Sequence, residues 1–161
     1  MILSGRTIRE EGLVFPHVQR TQTVIFNGKK TASYGESFAG YDVRLGESVM
    51  VFPGRTSLAA TFEEFTMPND VMGVVHDKST WARLGLQVQN TVLEPGWKGH
   101  LTLELTWVPY AQYDCFQKHD PYLWLHCLWP IAQIVFHRID YACTPYDGKY
   151  QNQGPQPQEA L

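Results

Sequence analysis

The residues best suited to chemistry lie between His76 and Trp107. A serine, an arginine and two glutamates follow one another there, at Ser79, Arg83, Glu94 and Glu104. A carboxylate whose pKa is raised by burial can accept a proton from water and later donate it to a leaving group. Because the same segment also supplies a hydroxyl and a cation, it has the residue types for general acid–base catalysis, with Glu104 as the candidate base.

Short elements before the glutamates should position the serine and the arginine. Ser79 is predicted to be the N-cap of one helical turn, which ends at Gly85. Residues four apart lie on one face of a helix, so Ser79 and Arg83 would point to the same place. Taken alone, both are equally well explained as an ordinary cap residue and an ordinary surface cation.

Two predicted strands follow, joined by a tight turn at the Pro-Gly pair of 95–96. Residues 86–92 alternate apolar and polar side chains, as a half-buried strand does. The second strand, 100–106, has a period of two that places its leucines on one face and Glu104 on the other. An alternating glutamate of this kind is more commonly turned to solvent. The periodicity therefore leaves a purely structural Glu104 as the alternative to a catalytic one.

The remainder of the chain indicates the fold class. Short apolar runs separated by glycine, proline or asparagine recur at 23–26, 41–45, 48–52, 62–66, 71–75, 122–125 and 131–136. Ser4 is a candidate N-cap for a short helical segment that Gly12 ends. The pattern predicts an all-β, jelly-roll-like distorted barrel of short strands with a short N-terminal helical segment. Residues 1–161 are predicted to form a single domain, in which 108–121 has no clear period and is an irregular excursion or a longer hairpin.

Composition excludes several classes of function. The net charge of −3 and the scattered basic residues form no basic stripe, so a nucleic-acid polymer is not an expected partner. No apolar run is long enough to span a bilayer, and the first residues lack the pattern of a signal peptide. We therefore expect a cytoplasmic protein that does not bind membranes.

The cysteines indicate neither a disulfide framework nor a zinc site. Cys115, Cys127 and Cys143 form an odd set without a C-x-x-C pair, which favours reduced thiols. Two histidines, His119 and His126, lie near cysteines, but their spacing matches no common zinc pattern. No metal site is predicted among the protein side chains.

Three segments of the chain resemble the deoxycytidine triphosphate deaminase branch of the trimeric dUTPase family. The family pattern is R-S-S-x-A-R-x-G, then D-P-G-W-x-G, then a strand with x-L-E-L. This chain has KSTWARLG at 78–85, EPGWKG at 94–99 and LTLEL at 101–105. Further similar segments, in the same order as in the family, are MILS at 1–4, GYDVRLG at 40–46, PIAQI at 130–134 and PYDGKYQNQGP at 145–155.

The resemblance implies an activity, a cofactor and an assembly. The reaction would convert dCTP and water to dUTP and ammonia in a homotrimer with its sites at subunit boundaries. Mg²⁺ would be bound through the triphosphate of the substrate. The H-x-E and P-C-x-x-C patterns of the zinc-dependent nucleobase deaminases are absent from the sequence, so the predicted deamination uses no zinc.

The resemblance also implies roles for individual residues. Glu104 corresponds to the general base, Ser79 to the serine that helps to hold the attacking water, and Arg83 to a charged partner of the glutamate. Substrate contacts are implied for Lys78, Thr80, Glu94, Trp97, Thr102, Leu103, Gln133, Tyr146, Lys149 and Gln153. Lys78 replaces an arginine that contacts the triphosphate, which keeps the charge but loses the bidentate fork.

Residues 146–161 are predicted to form a flexible C-terminal tail that closes over the nucleotide. The segment loses apolar content and gains glutamine, glycine and proline, a composition that cannot bury enough surface to become ordered alone. In the family the residues matching Tyr146, Lys149 and Gln153 fold over the substrate. The alternative is that the tail is simply a disordered polar terminus.

Two departures from the family pattern leave the exact activity open. The stretch from Val88 to Glu94 has the length of the dUTPase hairpin, two residues shorter than in typical deaminases, and its acid is glutamate instead of aspartate. In dUTPases and bifunctional members this acid orients the water that attacks phosphorus. The alternatives to a dCTP deaminase are therefore a dUTPase or bifunctional enzyme that releases pyrophosphate, and a non-catalytic nucleotide-binding relative.

Overall fold

A computed structural model of the chain describes residues 1–109 and 121–160. In these residues the chain forms α1 (Gly5–Glu10), β1 (Val14–Phe15), β2 (Gln22–Phe26), β3 (Lys29–Ser37), β4 (Gly40–Arg44), β5 (Val49–Val51), β6 (Thr56–Thr66), β7 (Val71–Asp77), α2 (Ser79–Ala82), β8 (Leu86–Val88), β9 (Val92–Leu93), β10 (Lys98–Trp107), β11 (Leu123–Leu125) and β12 (Pro130–Arg138). Most of the excursion predicted at 108–121 lies outside the described residues.

The strands form two larger sheets and one small one. The first sheet has the order β1-β6-β10-β8, the second has the order β2-β3-β4-β12-β7-β9, and β11 pairs with β5. Aromatic rings from both larger sheets meet in the core, where the ring centroids of Phe65 on β6 and Phe136 on β12 are 6.5 Å apart. The all-β, jelly-roll-like prediction is confirmed, including the short N-terminal helix.

Local signals account for the first elements. Ser4 is the N-cap of α1, and its hydroxyl accepts a hydrogen bond from the Thr7 amide at 3.3 Å. Asn27 and Gly28 both have positive φ, 49° and 73°, as a two-residue turn between twisted antiparallel strands requires. The predicted helix start and the predicted β2–β3 turn are therefore confirmed.

The segment that carries the candidate residues differs from its prediction in two places. The prediction of Ser79 as N-cap is wrong, because α2 begins at Ser79 and the extended residue before it, Lys78, is the cap. The strand predicted at 86–92 is two strands, since β8 pairs with β10 and β9 pairs with β7. The chain crosses from one large sheet to the other at this point, which no single alternating pattern reveals.

Among the described residues, no helix is both long enough and apolar enough to cross a membrane.

Candidate functional site

A cavity of about 370 Å³ lies between β10, the turn that precedes it and the C-terminal segment. Its walls are formed by Leu58, Thr91, Val92, Glu94, Trp97, Leu101, Thr102, Glu104, Tyr146, Tyr150, Gln153, Gln158 and Ala160. The fold thus brings six of the predicted site residues to one place: Glu94, Trp97, Thr102, Glu104, Tyr146 and Gln153.

Glu104 is the titratable group whose environment stands out in this cavity. Its Oε2 atom is buried and has no hydrogen-bond partner among the described residues. Burial raises the pKa of the Glu104 carboxyl, and a backbone hydrogen bond offsets part of that rise. This carboxylate is easier to protonate than usual, and one of its oxygens makes no hydrogen bond to a described residue. It is therefore suited to exchange protons with a bound molecule.

Strand β10 sets the direction of the Glu104 side chain. Glu104 pairs with Leu58 of β6 across the sheet, and its backbone carbonyl accepts a hydrogen bond from the Gln89 amide at 3.0 Å. The alternation of the strand places Thr102 and Glu104 at the cavity while the Leu103 side chain is fully buried in the core. Any contact between Leu103 and a ligand would therefore be made by its backbone.

The turn at 94–99 forms one wall. It closes with a hydrogen bond from the Trp97 amide to the Glu94 carbonyl at 3.0 Å, and Gly96 has the positive φ of 80° that the turn requires. The Trp97 ring is almost completely buried, and its indole Nε1 donates to the Tyr150 carbonyl at 2.6 Å. Glu94 is exposed and reaches the cavity edge, so this turn contributes one carboxylate and the small exposed part of one aromatic ring to the cavity wall.

The C-terminal segment lies directly on that turn. The Lys98 amide donates to Gln151 Oε1 at 2.7 Å, and the His100 amide donates to the Gln153 carbonyl at 2.9 Å. Gly99 makes this approach feasible, because a Cβ atom at that position would lie 2.6 Å from the Gln153 nitrogen. Gln153 is itself buried, and its Oε1 accepts from the Thr102 hydroxyl at 3.4 Å.

The last described residues are also held at the cavity. The Gln158 amide donates to the Thr102 hydroxyl at 2.9 Å. Lys149 is exposed, lies over the ring of Tyr150, and donates from Nζ to the Ala160 carbonyl at 2.5 Å. These contacts place the predicted tail against its own cavity, while its flexibility in the free protein and its closure over a nucleotide stay predictions.

Helix α2 presents a separate group of predicted residues. Ser79 and Arg83 are exposed, Thr80 is half-buried, and none of the three lines the cavity. Trp81 fixes the helix, since its ring stacks on Trp129 with centroids 5.4 Å apart. The hydroxyl and the cation are therefore displayed next to a packed tryptophan, outside the pocket that contains Glu104.

Two further predicted residues form contacts within the protein. Lys78 is nearly buried, and its Nζ lies 2.7 Å from Asp42 Oδ2. Gln133 on β12 is half-buried and donates from Nε2 to the Ser37 hydroxyl at 3.1 Å. Neither Lys78 nor Gln133 lines the cavity of this chain.

Some cavity residues were not predicted from the sequence. Leu58 is opposite Glu104 only because of the strand register, which leaves no local signal in the sequence. Tyr150 follows Lys149 directly in the tail, so an aromatic next to an expected phosphate contact was the available clue. No sequence pattern marks Thr91 and Gln158, and only the folded structure places them in the cavity wall.

The described cysteines are free, and the described residues contain no metal-binding cluster. Cys127 and Cys143 are free and exposed, whereas Cys115 lies outside the described residues. Within 1–109 and 121–160, no group of three or more histidine, cysteine, aspartate or glutamate side chains has an arrangement that could hold a metal ion.

Comparison with known proteins gives a consistent set of similarities. The family model described as dCTP deaminase-like matches residues 7–109. A dCTP deaminase from Acinetobacter baumannii is 32% identical, over 94% of this chain and 95% of that protein.

Solved structures are similar at the level of the fold. The 2'-deoxycytidine 5'-triphosphate deaminase from Agrobacterium tumefaciens superimposes with a TM-score of 0.57 at 14% identity, covering 84% of this chain and 47% of that chain. The dUTPase of Staphylococcus bacteriophage 80alpha superimposes with a TM-score of 0.55 at 15% identity, covering 84% of this chain and 100% of that chain.

Proposed function

We propose that this chain, which belongs to the dCTP deaminase-like family of hydrolases, converts dCTP and water to dUTP and ammonia. The observation that carries the proposal is the Glu104 carboxylate. It combines a raised pKa with a buried oxygen that no described residue engages, inside a cavity with an aromatic wall. A raised pKa and an oxygen that can reach a bound water molecule suit a general base.

Glu104 would act twice in the reaction. Its ionised carboxylate removes a proton from a water molecule as the water oxygen attacks C4 of the cytosine ring. The protonated carboxyl then returns that proton to the amino nitrogen, so that the C4–N bond breaks and ammonia leaves. The proton that remains on the C4 hydroxyl moves to N3, which gives the C4 carbonyl and the N3–H of uracil. A group with a raised pKa suits both steps, because it is a stronger base when ionised and still an acid when protonated.

The cavity walls fit the remaining parts of the nucleotide. The small exposed part of Trp97 that lines the cavity can contact the deoxyribose, and the exposed Glu94 carboxylate can accept a hydrogen bond from the 3′-hydroxyl. Lys149 is exposed and can bring a positive charge to phosphate if its ammonium leaves the Ala160 carbonyl. We propose that Mg²⁺ reaches the site on the triphosphate, whose oxygens are the hard ligands this ion prefers.

A second subunit would complete the site. Ser79 and Arg83 are exposed on α2 and do not line the cavity that holds Glu104. In a symmetric homotrimer, α2 of one subunit would face the cavity of its neighbour and bring the hydroxyl and the cation to the water. Static light scattering should give three times the chain mass of 18.4 kDa, and an active monomer would exclude this arrangement.

A dUTPase or bifunctional activity is the second candidate, because Glu94 lines the same cavity as Glu104. A carboxylate at that position can orient a water molecule towards phosphorus, in which case dUMP and pyrophosphate would be released. The experiment is to incubate the purified protein separately with dCTP and dUTP in the presence of magnesium and to identify all products.

The products separate the candidates. Ammonia and dUTP from dCTP support the deaminase, while dUMP and pyrophosphate from dUTP support the second activity. Tight binding of both nucleotides without turnover would indicate a non-catalytic relative and would refute both catalytic proposals.

A further inference from the structure

Residues 155–160, which we call the strap, lie along the cavity that contains Glu104. Two of them, Gln158 and Ala160, form part of the cavity wall. The Gln158 amide donates a hydrogen bond to the Thr102 hydroxyl at 2.9 Å. Thr102 and Glu104 are two residues apart on β10, so they lie on the same face of that strand and about 7 Å apart along it. The strap is therefore held beside the carboxylate that is assigned to the chemistry.

The strap also holds the positive charge that is expected to meet phosphate. The Ala160 carbonyl accepts a hydrogen bond from Lys149 Nζ at 2.5 Å. A carbonyl oxygen carries only a partial negative charge, so an ionised phosphate oxygen is the stronger partner for an ammonium. A nucleotide that reached this lysine would therefore replace Ala160 as its preferred partner.

The size of the cavity points in the same direction. With the strap in place the cavity measures about 370 Å³. Pockets for small ligands measure roughly 300–1,000 Å³, and a nucleoside triphosphate is a large ligand of this class. Because Gln158 and Ala160 belong to the wall, withdrawal of the strap would widen the cavity next to Thr102.

Few contacts hold the strap in this position. Gln158, Glu159 and Ala160 are exposed, and Pro157 is the one residue of the strap that is half-buried. Hydrogen bonds between such groups contribute little net stability, so the strap can open at a small cost in free energy. Gln153, just before the strap, is buried. The strap can therefore leave the cavity while the preceding part of the tail stays in place.

We propose that the strap is an internal competitor of the nucleotide. In the free protein it occupies the cavity through Gln158 and Ala160, and it leaves when the nucleotide takes this space and Lys149. The proposal rests on the proposed function, because the nucleotide is dCTP, and residues 145–153 keep their predicted role as a cover. A competing closed state lowers the apparent affinity in proportion to its population. The strap thus raises KM for dCTP without taking part in the chemistry.

Two variants test the competition by measuring KM and kcat with dCTP. Gln158→Pro removes the amide donor from the whole chain, since proline has no N–H, and a second protein ends after Gly154 and lacks the strap. KM should fall roughly 3- to 10-fold in both at unchanged kcat, because one or two weak hydrogen bonds favour the closed state by about that factor. Glu159→Ala is the control, because Glu159 is exposed and is not part of the cavity wall, and it should keep the wild-type KM.

The kinetic results can overturn the proposal in two ways. If KM of the protein that ends after Gly154 is unchanged or higher, the strap is either indifferent to the substrate or part of what holds it. If Gln158→Pro keeps the wild-type KM, the amide contact with Thr102 does not compete with the substrate. Melting temperatures close to that of the wild type should accompany the expected results, since the strap buries little surface.

Hydrogen exchange of the Gln158 amide, measured by NMR, separates this proposal from the proposed function. In the free protein this amide should exchange several-fold more slowly than in Thr102→Val, which has the shape of threonine but no hydroxyl to accept the bond. Addition of dCTP and magnesium should remove the protection. Faster exchange with dCTP in a protein that does not turn it over supports the strap and refutes the deaminase. Exchange that dCTP leaves unchanged in an active enzyme overturns the strap alone.

Discussion

Replacing Glu104 by glutamine should remove deamination and keep the fold. The amide has nearly the shape of the carboxylate and occupies the same position on β10 opposite Leu58. It cannot accept the proton of the attacking water. Because Oε2 has no hydrogen-bond partner among the described residues, the substitution breaks no side-chain contact of that atom. The effect on activity can therefore be assigned to the lost base.

The magnitude follows from what the carboxylate supplies. General acid–base catalysis contributes about 10²- to 10⁴-fold, which corresponds to roughly 2.7–5.4 kcal/mol of barrier. We expect kcat to fall by that factor. The variant should bind dCTP about as well as the wild type, since Glu104 is assigned to the water and not to the sugar or the phosphates.

The same substitution should affect stability in the opposite direction. Burial raises the pKa of Glu104 in the folded protein, so the folded state holds this proton more tightly than the unfolded chain. Stability therefore falls as pH rises from the ordinary glutamate pKa to the raised one, and above that window the ionised carboxylate is unfavourable. Glutamine removes this cost, so at neutral pH the variant should melt no lower than the wild type.

The assay is ammonia release from dCTP, with thermal melting measured on the same preparations. Glu47→Gln, at an exposed position, serves as the control with the same chemical change and should resemble the wild type in both. A Glu104→Gln protein that keeps more than about a tenth of wild-type kcat would refute the assignment of the base. A variant that melts well below the wild type would refute the argument from burial.

Three further predictions concern the tail and the second activity. Truncation after Thr144 should leave a folded protein with much weaker deamination, because the tail covers Trp97. Protease digestion with and without dCTP tests whether the tail closes over the nucleotide, and unchanged turnover of the truncated protein would contradict the prediction. Gly99→Ala should weaken deamination as the truncation does, because the added Cβ would lie 2.6 Å from the Gln153 nitrogen and displace the tail. A tail that resists protease as well as the wild-type tail does would contradict this prediction. Glu94→Asp should raise the rate of pyrophosphate release from dUTP, because glutamate places its carboxylate one methylene farther out and a misplacement of about 1 Å can cost on the order of 100-fold in rate. An unchanged rate in a coupled pyrophosphate assay would contradict this prediction.

The sequence predicts those parts of the fold that depend on local physics. Ser4 caps α1 because a hydroxyl before a helix can satisfy a free amide, and Asn27 with Gly28 turns a hairpin because both tolerate positive φ. Alternation along β10 places Glu104 away from the buried Leu103. Each of these features is determined by a few neighbouring residues.

The remaining features depend on contacts between distant parts of the chain. The Oε2 atom of Glu104 is buried without a hydrogen-bond partner among the described residues because residues of β6 and of the C-terminal segment line the cavity around it. The sequence of β10 alone does not specify these neighbours. The pairing of Lys78 with Asp42 joins residues that lie far apart in sequence, so no local pattern predicts it. The N-cap of α2 is Lys78 and not Ser79, because Lys78 has the extended backbone and Ser79 is already helical.

The turn at 94–99 and the C-terminal segment have a consequence for protein engineering. The glycines of the turn have no room for a side chain where the tail crosses them: a Cβ on Gly96 would lie 2.6 Å from the Pro145 Cβ, and Gly99 meets Gln153 in the same way. The Trp97 indole completes the junction at the Tyr150 carbonyl. Turn and tail are therefore matched in shape, and a tail grafted from a relative should function better when its own turn is grafted with it.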